Sequence, residues 1–221
     1  MTIELAQSIK KDEINELPIE RFEGRIFEID QKAKVKAAVE YLKNYGAIGF
    51  DTETRPSFKK GVSYKVALLQ LSTDDTCFLF RLNKIGFPQE LRTLLQNTKI
   101  KKIALSSHDD IAALKKRTDF RPANCGEIQK MVKEYGITDQ SLQKIYAILF
   151  DKKISKAQRL SNWENAILTD KQKTYAATDA WTTLRIYEKL IDINPDNVVT
   201  IVKSDDTTQM PQDVLAAVGN N

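Results

Sequence analysis

The chain has 221 residues, of which 42% are hydrophobic, 8% aromatic and 29% charged, the balance of a soluble globular protein large enough for one sizeable core. No apolar run approaches the roughly 20 residues that cross a bilayer, and two isolated cysteines, Cys77 and Cys125, exclude a disulfide framework or a cysteine-based zinc site. The net charge is +4, but the last 27 residues hold four Asp against one Lys, which leaves 33 basic and 26 acidic residues, a net +7, on the first 194.

That excess suits a polyanionic partner; solvated Lys-rich helix faces are the plainer reading of it. The opening stretch, MTIELAQSIKKDEIN, lacks the apolar stretch of a secretory signal, which together with the cysteine usage predicts a reducing, cytoplasmic setting. No segment marks a membrane or a protein partner.

Further along, GRIFEID (24–30) alternates as a strand, and QKAKVKAAVEYLKNYG (31–46) has the spacing of a helix ending at Gly46. AIGFDTET (47–54) is the next strand; KVALLQLST (65–73) and TCFLFRL (76–82) are two more, joined by a turn at Asp74 and Asp75. A helix over 88–97, a strand KKIALS (101–106) and a helix over 109–117 follow. From there the pattern is helical, in GEIQKMVKEYG (126–136), SLQKIYAILF (141–150) and 168–193. Strands first and helices later, with helices also between strands, predict an α/β fold in which α-helices flank a mixed sheet and the C-terminal half is helical. The tail, rich in Asn, Asp, Thr and Gln over 194–221, reads as a poorly ordered extension, within which VVTIVK (198–203) can add an edge strand.

The third strand carries the chemistry. Asp51 and Glu53 sit two apart, so both carboxylates face one side of the strand and repel unless something positive lies between them. Asp109 and Asp110 follow KKIALSSH at a strand-to-helix junction, where open α/β sheets build their ligand sites. Asp110 is the better candidate because Leu114, one turn on, anchors the buried side; Asp109 suits the helix N-terminus. Asp179 lies four residues after Tyr175, on the same helix face, and the small run between them lets that helix approach another backbone or a substrate closely. A surface hydrogen bond is the plain alternative for that pair. Gathered together, Asp51, Glu53, Asp110 and Asp179 form a hard-oxygen set that suits Mg²⁺ or Mn²⁺, and four carboxylates call for two such ions.

FDTET around Asp51, SSHDDIAAL around Asp110 and YAATDA around Asp179 resemble the three exonuclease motifs of the DEDD superfamily. The Tyr-x-x-x-Asp form of the third motif resembles the DEDDy branch, with ribonuclease D and the Werner-syndrome exonuclease domain among its members. RPSFKKG, KVALLQLS and LSNWE are similar to that branch too, and the resemblance covers residues 20–193, with 1–19 left as an N-terminal extension. It implies a ribonuclease H-like fold and 3′-5′ exonucleolysis of DNA or RNA, releasing nucleoside 5′-monophosphates. It also implies Asp51, Glu53, Asp110 and Asp179 as ligands of two divalent cations, Glu53 near the terminal 3′-hydroxyl, and Tyr175 orienting the attacking water.

Weaker substrate-binding candidates surround these. Thr52 lies between the two acids, and Lys59 and Lys60 lie in the loop that follows them, placed for phosphate contacts. His108, the one histidine, is two residues before Asp110 and suits a phosphate contact or a capping role. Trp163 can stack on a base or pack the loop against the last helix. Two other functions compete: a catalytically silent nucleic-acid-binding module of the same fold, which has no reason to keep a costly acidic cluster, and an aspartyl phosphohydrolase, which leaves Tyr175 and Asp179 without a task.

Overall fold

A computed structural model describes residues 2–202 of the chain. Along it run β1 (Ile3–Ala6), α1 (Lys11–Glu16), β2 (Arg25–Ile29), α2 (Lys32–Leu42), β3 (Ala47–Glu53), β4 (Leu68–Ser72), β5 (Thr76–Arg81) and α3 (Leu82–Ile85). Then come α4 (Gln89–Gln96), β6 (Lys101–Ala104), α5 (Ser107–Lys115), β7 (Cys125–Glu127), α6 (Ile128–Glu134), α7 (Leu142–Phe150), α8 (Asp170–Ile191) and β8 (Val198–Ile201). Among the described residues, no helix is long and apolar enough to cross a membrane.

Six strands form one mixed sheet in the order β2-β5-β4-β3-β6-β7. β4 is antiparallel to β3 and β5, and the remaining neighbours are parallel. The β4–β5 hairpin turns at Asp74 and Asp75 as the sequence predicts, closed by Thr73 N–H on Thr76 O at 2.8 Å.

Strand alternation sorts side chains into two layers. Ile48, Phe50, Leu69, Leu71, Phe78 and Phe80 face α2 and α4, where Val35, Leu42, Leu91 and Leu94 meet them. Each such buried side chain contributes about 1.5–3 kcal/mol. On the other face, Leu68, Cys77 and Leu79 share a layer with Trp163, Tyr175, Ala176 and Ala177. That face is spanned by α8, whose start is fixed by a capping box between Thr169 and Gln172. By the same alternation Gly49, Asp51 and Glu53 lie under α8.

Several boundaries differ from the sequence expectations, each for a local reason. α2 ends at Leu42 rather than at Gly46, because the Asn44 side chain donates to the Glu40 and Tyr41 carbonyls and closes the last turn. Residues 126 and 127, expected as the start of a helix, instead belong to β7, which pairs as an edge strand with β6. The N-terminal extension is folded: β1 pairs in parallel with β8 in a separate two-stranded sheet. VVTIVK therefore supplies a strand, but to β1 and not to the main sheet, and this part of the expected poorly ordered tail is built into the molecule. The rest of that tail, from residue 203, lies outside the described residues.

Candidate active site

At Gly49 the sheet and α8 come into close contact. A Cβ placed there would sit 1.9 Å from the Ala180 carbonyl oxygen and 3.2 Å from Thr183 Oγ1. With Ala180 as the adjoining helix residue, β3 and α8 meet almost backbone to backbone, and Thr183 Oγ1 donates to Ile103 O at 2.8 Å, which ties α8 to the neighbouring strand β6. One residue before Ala180 stands Asp179, and two residues after Gly49 stands Asp51 on the same face. The close approach of two chain segments, one all small residues, thereby fixes where their acids meet.

Asp51, Glu53 and Asp179 are each half-buried, and each offers an oxygen within 4.8 Å of the others. Asp110, in the first turn of α5, stands beside this trio. Its Oδ1 accepts from the Thr52 hydroxyl at 2.5 Å, and its charge is the largest one felt by Asp51. Thr52 thus ties the second motif to the first strand, which is a different task from the substrate contact expected of it.

Burial pushes all four acids above the usual carboxylate range, and repulsion from the neighbouring acids adds to it at Asp51 and Glu53. Asp51 is raised well above it, first by loss of water and then by the charges of Asp110, Asp179 and Glu53. Glu53 is pushed up to about 9 by burial with Asp179 and Asp110. Burial lifts Asp110 and Asp179 to about 7, although Thr52 and Tyr175, respectively, bond their charged forms. The Tyr175 phenol, paired with Asp179, is raised by burial and by the surrounding negative charge, so it stays protonated. Among the described residues no lysine or arginine forms an ion pair with any of the four acids. Opposing charge comes from a distance, from Arg159 toward Glu53 and Lys156 toward Asp179.

Lys156 and Arg159 are exposed, lie in the loop before α8, and were not singled out by sequence motif. The available signal was their position just ahead of SNWE. Lys59 and Lys60 are exposed on the loop after β3 and contact none of the acids. His108 is exposed, and its backbone N–H donates to Glu127 Oε1 at 3.1 Å. Trp163 corrects the base-stacking expectation. It is fully buried and stacks on the Tyr175 ring at 6.0 Å between centroids, so no face is left for a nucleobase. It props the ring that carries the Tyr175 hydroxyl.

A family model described as 3′-5′ exonuclease matches residues 26–193, a span that contains all four acids and Tyr175. The chain belongs to the 3′-5′ exonuclease family. It is 35% identical over 161 residues to the bifunctional 3′-5′ exonuclease/ATP-dependent helicase WRN of Mus musculus, covering 67% of this chain but 11% of that protein. It is 30% identical over 197 residues to a 3′-5′ exonuclease of Arabidopsis thaliana, covering 82% of this chain and 68% of that one. Among solved structures, Trypanosoma brucei RNase D in complex with RNA aligns at a TM-score of 0.70 and 19% identity, over 78% of this chain and 64% of that one. The ribonuclease H-like sheet expected from the motifs is therefore the exonuclease fold observed.

Proposed function

We propose that the chain hydrolyses DNA or RNA from the 3′ end, releasing nucleoside 5′-monophosphates, with two divalent cations held by Asp51, Glu53, Asp110 and Asp179. The observation that carries this reading is the trio of carboxylate oxygens within 4.8 Å of one another, with no lysine or arginine among the described residues in an ion pair with them. The donor set fits Mg²⁺ or Mn²⁺, since every ligand is a hard oxygen and the repulsion that raises Asp51 and Glu53 is what dications relieve. Bound there, two such ions supply charge stabilisation to the attacking and leaving oxygens.

The chain's own groups do the rest. Tyr175 remains a neutral phenol beside Asp179, so its hydroxyl is available to orient the attacking water without giving up its proton. Trp163 holds that ring in place. Glu53, at the open end of β3, reaches toward the terminal 3′-hydroxyl. Lys156 and Arg159 bear on the substrate's phosphates from the loop above. Hydrolysis adds the water's hydroxyl to phosphorus and breaks the bond to the penultimate 3′-oxygen, which takes up a proton.

The test is digestion of 5′-labelled single-stranded DNA and RNA with Mg²⁺, Mn²⁺ or EDTA, beside Asp51→Asn and Tyr175→Phe. A metal-dependent ladder shortening from the 3′ end, absent in Asp51→Asn and weakened about 10²-fold in Tyr175→Phe, is expected. Intact oligonucleotides that the folded protein nonetheless shifts on a native gel would favour the silent binding module.

A further inference from the structure

Gln70 is fully buried, and neither its side-chain nitrogen nor its side-chain oxygen has a hydrogen-bond partner within the protein. Burying an amide without partners costs stability. Its neighbours on β4 are apolar or already engaged: Leu68 has nothing to offer, and the Ser72 hydroxyl donates to Thr73 O at 2.9 Å. Leu79, its partner on β5, is apolar as well.

Its partner on the other side is Asp51. The β3–β4 register places Asp51 directly opposite Gln70, and both point to the face under α8. Side chains paired this way have Cβ atoms about 4.5–5.5 Å apart, within reach of a glutamine amide and a carboxylate. The Asp51 charge is also felt at Cys77, on the far side of β4, so its field extends into the dry layer where the amide lies. An amide with donors to spare therefore stands beside one of the acids of the cluster.

We propose that Gln70 is a positioning residue for cation binding. With the cations in place, its side-chain N–H donates to the Asp51 carboxylate and fixes the orientation in which that acid presents its oxygens. The inference rests on the two-cation reading above. It differs from a packing role in the sign of its consequences. Removing an orphaned amide relieves a cost in the cation-free protein, whereas removing an outer partner of a ligand weakens metal binding about 10–100-fold.

The experiment titrates Mn²⁺ into the whole chain without nucleic acid, following free Mn²⁺ by electron paramagnetic resonance, for the parent, Gln70→Met and Gln70→Leu. Thermal melting without metal runs alongside. The expected result is a Kd for Mn²⁺ raised about 10-fold or more in both variants, with melting temperatures equal to or above the parent's. A Kd within twofold of the parent's in either folded variant overturns the inference alone. Variants that melt lower or fail to fold overturn it too, because the amide would then serve the fold. A parent that binds no Mn²⁺ overturns the two-cation reading along with it.

Discussion

Replacing Gly49 by alanine adds one methyl group, changes none of the four acids and is expected to disable the site. The new Cβ would stand 1.9 Å from the Ala180 carbonyl oxygen, where ordinary contact begins at 3.4 Å, so the two backbones must separate by about 1.5 Å. Neither element yields cheaply. β3 is paired on both sides within the sheet, and α8 is held by the apolar layers along its length. Overpacking of this kind costs about 1–3 kcal/mol. For a chain of this size 2 kcal/mol lowers Tm by about 4–8 °C. Asp179 is adjacent to Ala180 and travels with it, so the acids lose their mutual geometry. A displacement of about 1 Å costs on the order of 10² in rate. The assay compares turnover of a labelled oligonucleotide, at a temperature where each protein is folded, with Gly46→Ala as the control, since nothing lies within 4 Å of a Cβ at that glycine. Parent-like turnover and melting in Gly49→Ala would refute the claim that this contact sets the acids' spacing.

Asp51→Asn removes one of the repelling charges, so without metal it is expected to melt above the parent by a few degrees while nucleolysis is lost, read by calorimetry and digestion of the same preparation. The pH dependence has a defined sign. Asp110, Asp179 and Glu53 are raised in the folded protein, to about 7, 7 and 9, so their contribution to stability is complete below about pH 4 and is lost as pH rises through 7 to 9. Metal-free melting temperatures should therefore fall less steeply between about pH 4 and 7 in Asp179→Asn than in the parent, and Mg²⁺ should stabilise the parent more at pH 8 than at pH 5.5; equal slopes would contradict it. The double change Lys156→Ala with Arg159→Ala should raise KM and lower the salt dependence of binding by about 0.7 per lost phosphate contact, measured by fluorescence anisotropy on a single-stranded oligonucleotide.

What the sequence made legible was local. The Asp51–Glu53 pair and the Tyr175–Asp179 pair are spacings within one element, so periodicity alone assigns each pair to a shared face. The small run of Ala176 and Ala177 likewise pointed to a close helix approach, which Gly49 completes from the other side. What stayed hidden depends on pairings between distant segments. Gln70 looks like one polar residue in an apolar strand until the β3–β4 register sets it against Asp51. Lys156 and Arg159 look like loop charges until the fold brings their charge to bear on Asp179 and Glu53. VVTIVK could be read as a strand, but its partner β1 lies at the opposite end of the described chain, and four residues of β1 carry too little alternation to announce themselves. Trp163 shows the reverse problem: an aromatic beside a candidate site invites a ligand, and only its complete burial against Tyr175 assigns it to the support of the site.

The most direct test of the two-cation site is a crystal of the protein grown with Mn²⁺ and a nucleoside 5′-monophosphate, examined by anomalous diffraction. The predicted result is two Mn²⁺ peaks about 3.5–4 Å apart, touching Asp51, Glu53 and Asp179, with the second reached by Asp110. A single peak, or none among these carboxylates while the nucleotide is bound, would contradict it.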